Sequence, residues 1–332
     1  MVKRLFLVSL LAGCVGETPD ALPSAGLPPP AATAEQRQLV GEYLLDADTL
    51  SILEAGGGLR LLDWRDNAMT SFAPGASDPQ VLPVYDDEGG VSAVQVDGRD
   101  YARLHLGAED GGTFRITPIR PPDELRAEAL AATPPVEAGD FLPSDLVELI
   151  TLDPSIRLDI RYASTNNFMG EVFYSEARAF LQRPAAEALV RAHRWLKSQG
   201  YGLLIHDGYR PWYVTKMFWE ATPEPLRVFV ADPATGSRHN RGCAVDLTLF
   251  DLDTGEPIEM TGGYDEMSPR SFPNYPGGTT RQRWHRELLR AAMEAQDFEV
   301  YEAEWWHFDY TDWSRYRIGN QRFEEIGAPP GA

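Results

Sequence analysis

Cysteine is nearly missing from this chain: Cys14 and Cys243 are the two among 332 residues, so no disulfide framework can brace the fold. Positive charge is also scarce. Thirty Lys+Arg stand against 50 Asp+Glu, a net charge of −20, which disfavours a sequence-independent grip on phosphates or anionic membranes, and nucleic acid is not an expected partner. Long apolar runs are lacking too. The first, at residues 5–11, is far too short to span a bilayer. The first third of the chain contains no nucleophile elbow, no metal-spaced histidine pair and no phosphate loop. What is present is a hydrophobic fraction of 43% with 11% aromatics, ample for a core, and a length that suits two folded units.

Residues 1–14 read MVKRLFLVSLLAGC, with Lys3 and Arg4 ahead of the apolar run and a small pair, Ala12-Gly13, after it. This is the pattern of a secretion signal. Its last four residues resemble the lipobox of bacterial lipoproteins, which implies cleavage after residue 13, acylation of Cys14 and a lipid anchor on an exported protein. An ordinary cleaved signal is the alternative. Either way the mature chain is expected in the cell envelope, with contact to a membrane only through Cys14. Residues 14–35, rich in Pro and Ala, are expected to form a tether. If Cys14 is lipidated, Cys243 stays unpaired, as a packed small side chain in preference to a spare soft donor.

From 36 to 125 short alternating segments lie between Gly- and Asp-rich turns, and predict a small all-β unit. A Pro- and acid-rich linker is expected over 126–142. From 143 to 320 the pattern becomes α+β, with a central antiparallel sheet and flanking helices, and 321–332 is left as a tail. Pro184 opens a helix that Gly200 stops. A buried strand over 201–205 delivers Asp207-Gly208-Tyr209-Arg210, and Pro211 starts the next helix. In the strand 243–250, Val245, Leu247 and Leu249 face one way while Ala244, Asp246 and Thr248 face the other. A helix over 281–295 and a strand pair or bent strand over 298–310 complete the domain.

A lone aspartate pointing inward from an apolar strand is costly unless paired, and a metal is a good partner for Asp246. His239 lies in the turn that feeds this strand, and His307 lies in the aromatic run Glu304-Trp305-Trp306-His307. Two histidines and one carboxylate leave the fourth position of a tetrahedral zinc open, as a catalytic site requires. Glu304 precedes His307 by three residues, so a bend or bulge at Trp305-Trp306 is needed for both to address one ion, with Glu304 as general base. Arg210, rigidly held before Pro211, suits a developing oxyanion. Taken singly, each residue also has a plain structural role: Asp246 as a cap or arginine partner, Arg210 as an ion-pair donor, Glu304 as a solvated acid. His193, His206 and His285 are read as structural.

The motifs SxHxxGxAxD at 237–246, ExWH at 304–307 and DGYRP at 207–211, with the segment YASTNNF at 162–168, resemble the D-alanyl-D-alanine dipeptidases. These belong to a zinc peptidase group that includes D,D-carboxypeptidases and the hedgehog signalling domain. The resemblance spans about 145–318 and implies one zinc per chain on His239, Asp246 and His307, Glu304 as base and acid, and Arg210 on the substrate carbonyl. It further implies Asp265 as the acid that binds the substrate's ammonium, Ser237 as a neighbouring hydrogen-bond partner, and a closed pocket for small D-amino-acid dipeptides. A D,D-carboxypeptidase acting on peptidoglycan stem peptides is the enzymatic alternative, and an inactive zinc-containing binding module the non-enzymatic one. The 36–125 unit lies outside the resemblance.

Overall fold

The computed structural model describes residues 25–77, 79–106 and 112–326, so Cys14 and the signal segment lie outside the described residues. A short helix, α1 (Ala34–Leu39), is closed at its start by a reciprocal cap between Thr33 and Gln36. It leads into seven strands: β1 (Gly41–Leu45), β2 (Asp48–Ala55), β3 (Gly58–Asp63), β4 (Ala68–Phe72), β5 (Val81–Tyr85), β6 (Val91–Val96) and β7 (Arg99–Arg103). They form one antiparallel sheet in the order β4-β3-β2-β1-β7-β6-β5. Two-residue turns with positive φ, Gly56-Gly57 and Asp97-Gly98, close two of its hairpins in the hand that matches strand twist. Tyr43, Leu50, Ile52, Val81 and Val94 give this sheet its own core.

The remainder builds a second, larger core. Its elements are α2 (Pro122–Ala131), β8 (Leu146–Glu148), α3 (Leu149–Leu152), β9 (Arg157–Leu158), β10 (Phe180–Gln182), α4 (Arg183–Ser198), β11 (Tyr201–Asp207), α5 (Trp212–Ala221), β12 (Ala244–Asp251), α6 (Thr280–Glu294), β13 (Phe298–Val300) and β14 (His307–Tyr310). The central sheet runs β13-β14-β12-β11-β9, antiparallel except for β9, which lies parallel to β11. The expected antiparallel sheet is thus mixed at one edge. Both α4 and α6 bury one apolar face, Ala185, Leu189, Ala192 and Leu196 on the first and Leu288, Leu289 and Ala292 on the second.

Three boundaries differ from the sequence reading. The expected tether is not free at its end: the Ala25 amide donates to Gln199 and Arg281 donates to the Pro29 carbonyl, fastening residues 25–33 along the larger unit. The expected linker 126–142 contains six of the ten residues of α2, whose Leu125 and Ala129 are fully buried in the larger core against α5, and the linker's Glu137 pairs with Arg241 at 2.7 Å. The expected tail begins with a core residue, since Phe323 packs its ring 4.5 Å from that of Tyr174. Burial of these side chains outweighs the Pro-rich and terminal composition around them.

The two units meet at β2 and the start of α6. Glu54 donates its amide to the Gly278 carbonyl (3.1 Å), accepts from the Thr280 amide on its carboxylate (2.8 Å), and accepts from Arg283 on its carbonyl (2.8 Å).

Candidate active site

The site lies across three neighbouring strands. Asp207 on β11 stands opposite Asp246 on β12, and Asp246 stands opposite His307 on β14. A register shift between Ile205 and Asp207 is what brings Asp207 into that row, because the extra residue re-aims the end of the strand. His239 arrives from a short turn, His239–Arg241, that stops at Gly242 with φ 68°. Only glycine suits that position: the conformation is left-handed, and a Cβ there would sit 2.5 Å from Leu146 Cδ2. The expected bend is present as well. β14 starts only at His307, Trp305-Trp306 form a turn before it, and the His307 amide points to the Glu304 carbonyl at 3.4 Å.

His239, Asp246 and His307 place one donor atom each within 4.8 Å of one another, all buried. His239 Nε2 and His307 Nδ1 lie 3.3 and 3.0 Å from Asp246 Oδ1, and 3.1 Å from each other. The outward nitrogens are already engaged. His239 Nδ1 lies 2.7 Å from the Gly208 carbonyl, and His307 Nε2 lies 2.9 Å from Asp309 Oδ1. An acceptor on the outer nitrogen draws the ring proton there and leaves the inner nitrogen as a lone pair. Asp246 Oδ1, buried in the middle, has no hydrogen-bond partner. Two imidazole nitrogens converging on an orphaned carboxylate oxygen make a three-donor set that fits a cation, and these residues could hold a metal ion. Burial opposes the charged form of His307, but Asp309 and Asp246 outweigh it and raise its pKa well above the ordinary value.

The other predicted residues gather around this centre. Glu304 Oε2 is 3.6 Å from His307 Nδ1. Burial raises its carboxyl to about 8, with His307 pulling it down and Asp246 pushing it up, so its proton is exchangeable near neutrality. Arg210 is clamped by Asp207, whose Oδ2 accepts from Nε and Nη2 at 2.8 Å each, and its other face lies over Phe218 and Tyr162. Its Nη2 also reaches to 3.5 Å from Asp246 Oδ2. Asp265, with φ 58°, holds its carboxylate toward the Tyr162 hydroxyl, which donates to both oxygens at 3.0 and 2.9 Å. A non-glycine residue in that backbone region is strained, and such strain concentrates at functional sites. Burial, and then the charge on Asp246, raise the Asp265 carboxyl to about 8. Ser237 Oγ accepts from the His239 amide at 3.2 Å, so part of its work is local, shaping the turn that carries His239.

All seven residues line one cavity of about 330 Å³, at the small end of the range of small-molecule sites. Its apolar wall includes Phe168, Phe218, Phe229 and Met267. Four contributors escaped the sequence reading. Asp207 lay inside a quoted motif without a role. Tyr264 donates to Asp246 Oδ2 at 3.0 Å, Tyr174 donates to Asp207 Oδ1 at 2.8 Å, and Asp309 orients His307. Only Asp309 had a usable sequence signal, two residues past His307 on a strand and therefore on the same face. His206, read as structural, lies 3.5 Å from Asp159 and packs its ring 4.6 Å from that of Tyr264, outside the cavity. Cys243 is buried, its thiol pushed up to about 12 by that burial, which matches a packed side chain.

Comparison with known proteins bears directly on this site. A family model described as D-ala-D-ala dipeptidase matches residues 143–326, more than half of the chain. The D-alanyl-D-alanine dipeptidase of Escherichia coli is 34% identical over 186 residues, covering 56% of this chain and 95% of that one. The enzyme of the same name from Enterococcus faecium is 36% identical over 175 residues (47% and 87%), and that from Streptomyces coelicolor 35% over 188 residues (51% and 91%). The matched region holds every residue of the cavity described above and none of the seven-stranded sheet, and the chain belongs to the M15 peptidases, in the D-ala-D-ala dipeptidase family.

Proposed function

We propose that this peptidase hydrolyses D-alanyl-D-alanine, or a closely similar D-amino-acid dipeptide, with one zinc ion on His239, Asp246 and His307. The observation that carries the metal part is the orphaned Asp246 Oδ1 between two inward-facing imidazole nitrogens. The relatives' shared activity carries the substrate. Zinc, when bound, supplies the Lewis acidity that activates water and polarises a peptide carbonyl near neutral pH.

The chain's own residues do the rest. Glu304 Oε accepts the proton from the attacking water and passes it to the leaving amine, a task suited to a carboxyl poised near neutrality beside the centre. Arg210, fixed by Asp207 and by two aromatic faces, presents a permanent positive charge to the carbonyl oxygen as it gains negative charge. Asp265, which lines the same cavity, binds the substrate's ammonium, and Ser237, also in the lining, offers its hydroxyl proton. Phe168, Phe218 and Phe229 give the cavity an apolar wall beside the reacting groups.

From the pattern of residues 1–14 we further propose export with a lipid anchor on Cys14, which would give the enzyme wall-derived peptides as its substrates. A panel of D-Ala-D-Ala, L-Ala-L-Ala and a stem pentapeptide ending in D-Ala-D-Ala, resolved by chromatography, tests the substrate. Cleavage of the free D,D-dipeptide alone is expected. Cleavage of the pentapeptide without the dipeptide would replace this reading by a D,D-carboxypeptidase.

A further inference from the structure

The seven-stranded sheet lies outside the matched family region, yet one of its acids reaches the loop that carries Asp265. Glu42, on β1, is 7% exposed. Its carboxylate accepts from the Tyr275 hydroxyl and lies 3.8 Å from Arg270 Nη1. Arg270 in turn grips Glu266 with two parallel hydrogen bonds, Nε to Oε1 at 2.7 Å and Nη2 to Oε2 at 3.0 Å. Glu266 is fully buried, also accepts from the Gly263 amide at 3.0 Å, and directly follows Asp265. Tyr275 is itself held from the sheet side, its ring stacked on Trp64 at 6.4 Å and 8°.

A fully buried carboxylate needs a cation, so Glu266 fixes Arg270, and Glu42 shares that cation from the other side. The segment 263–266 is thereby tied at one end to the sheet. At its centre Asp265 holds a left-handed conformation (φ 58°) that persists only when its surroundings over-determine it. We propose that the N-terminal sheet, through Glu42, Arg270 and Glu266, positions the Asp265 carboxylate, and so sets how tightly this enzyme holds the ammonium of its dipeptide. Glu42 is a positioning residue and touches no substrate. This rests on the reading of Asp265 as the ammonium partner.

The experiment uses the full chain with Glu42→Gln, which keeps shape and a hydrogen-bond acceptor for Tyr275 but removes the charge facing Arg270. Folding is followed by circular dichroism and metal content by atomic absorption. Loss of a charge-assisted contact predicts a KM for D-Ala-D-Ala raised roughly tenfold, with kcat within about threefold and metal content unchanged. An unchanged KM, or a fall in kcat alone, overturns the proposal. If Glu42→Gln does not fold, Tyr275→Phe tests the same carboxylate from its other side, with the same expected split. Asp265→Asn separates the two levels of inference. If it raises KM and Glu42→Gln does not, the relay fails alone; if it leaves KM unchanged, the ammonium reading and the relay fall together.

Discussion

Asp309 stands two residues beyond His307 on β14, and its Oδ1 lies 2.9 Å from His307 Nε2, so one strand supplies both an imidazole of the candidate metal site and the carboxylate that turns it. Period-two alternation puts both side chains on the same face. Asp309→Asn keeps the shape but loses the charge that favours a proton on Nε2. Such orienting partners are worth about 10- to 100-fold in metal affinity. Competition with a chelator should show zinc held that much more weakly, and equal affinity in parent and variant would show that Asp309 does not orient the ligand.

Glu304→Gln should leave metal content intact and reduce kcat by roughly 10² to 10⁴, because a proton acceptor is lost while the donor set is untouched. Metal analysis and steady-state rates on the same preparation decide. Loss of zinc from this variant would make Glu304 a ligand and not a base.

In the metal-free protein Asp265 should contribute a loss of stability as pH rises. Its carboxyl is raised by burial to about 8 from an ordinary value of 3.8. The folded form therefore keeps a proton that the unfolded chain has released. By linkage, stability from this group is greatest below about pH 4 and declines until pH passes about 8. Asp265→Asn removes that titration. In chelator, urea unfolding at a series of pH values should show the variant gaining on the parent through this window, and parallel curves would contradict the assignment.

The site was readable in the sequence where chemistry and period coincide. Asp246 betrays itself as an acid in an apolar strand, Val245, Leu247 and Leu249 fix which face it takes, and Pro211 marks the rigid turn after Arg210. What sequence did not reveal depends on register. Asp207 joins the row only because of the shift after Ile205, and Tyr264 meets Asp246 from 18 residues away through a loop path that no local pattern encodes. α2 was hidden by its prolines, although Leu125 and Ala129 are spaced four apart as one helical face. The sheet's link to the site runs through Glu42 and Arg270, more than two hundred residues apart, and is a property of the folded chain alone.

The most direct measurement is release of D-alanine from D-Ala-D-Ala by the purified chain, in a chelator and after zinc is restored. Hydrolysis should stop in chelator and return with about one zinc per chain, and His239→Ala should bind no zinc and stay inactive throughout. Full hydrolysis by metal-free protein, or no release of D-alanine by zinc-loaded protein, would contradict the central claim.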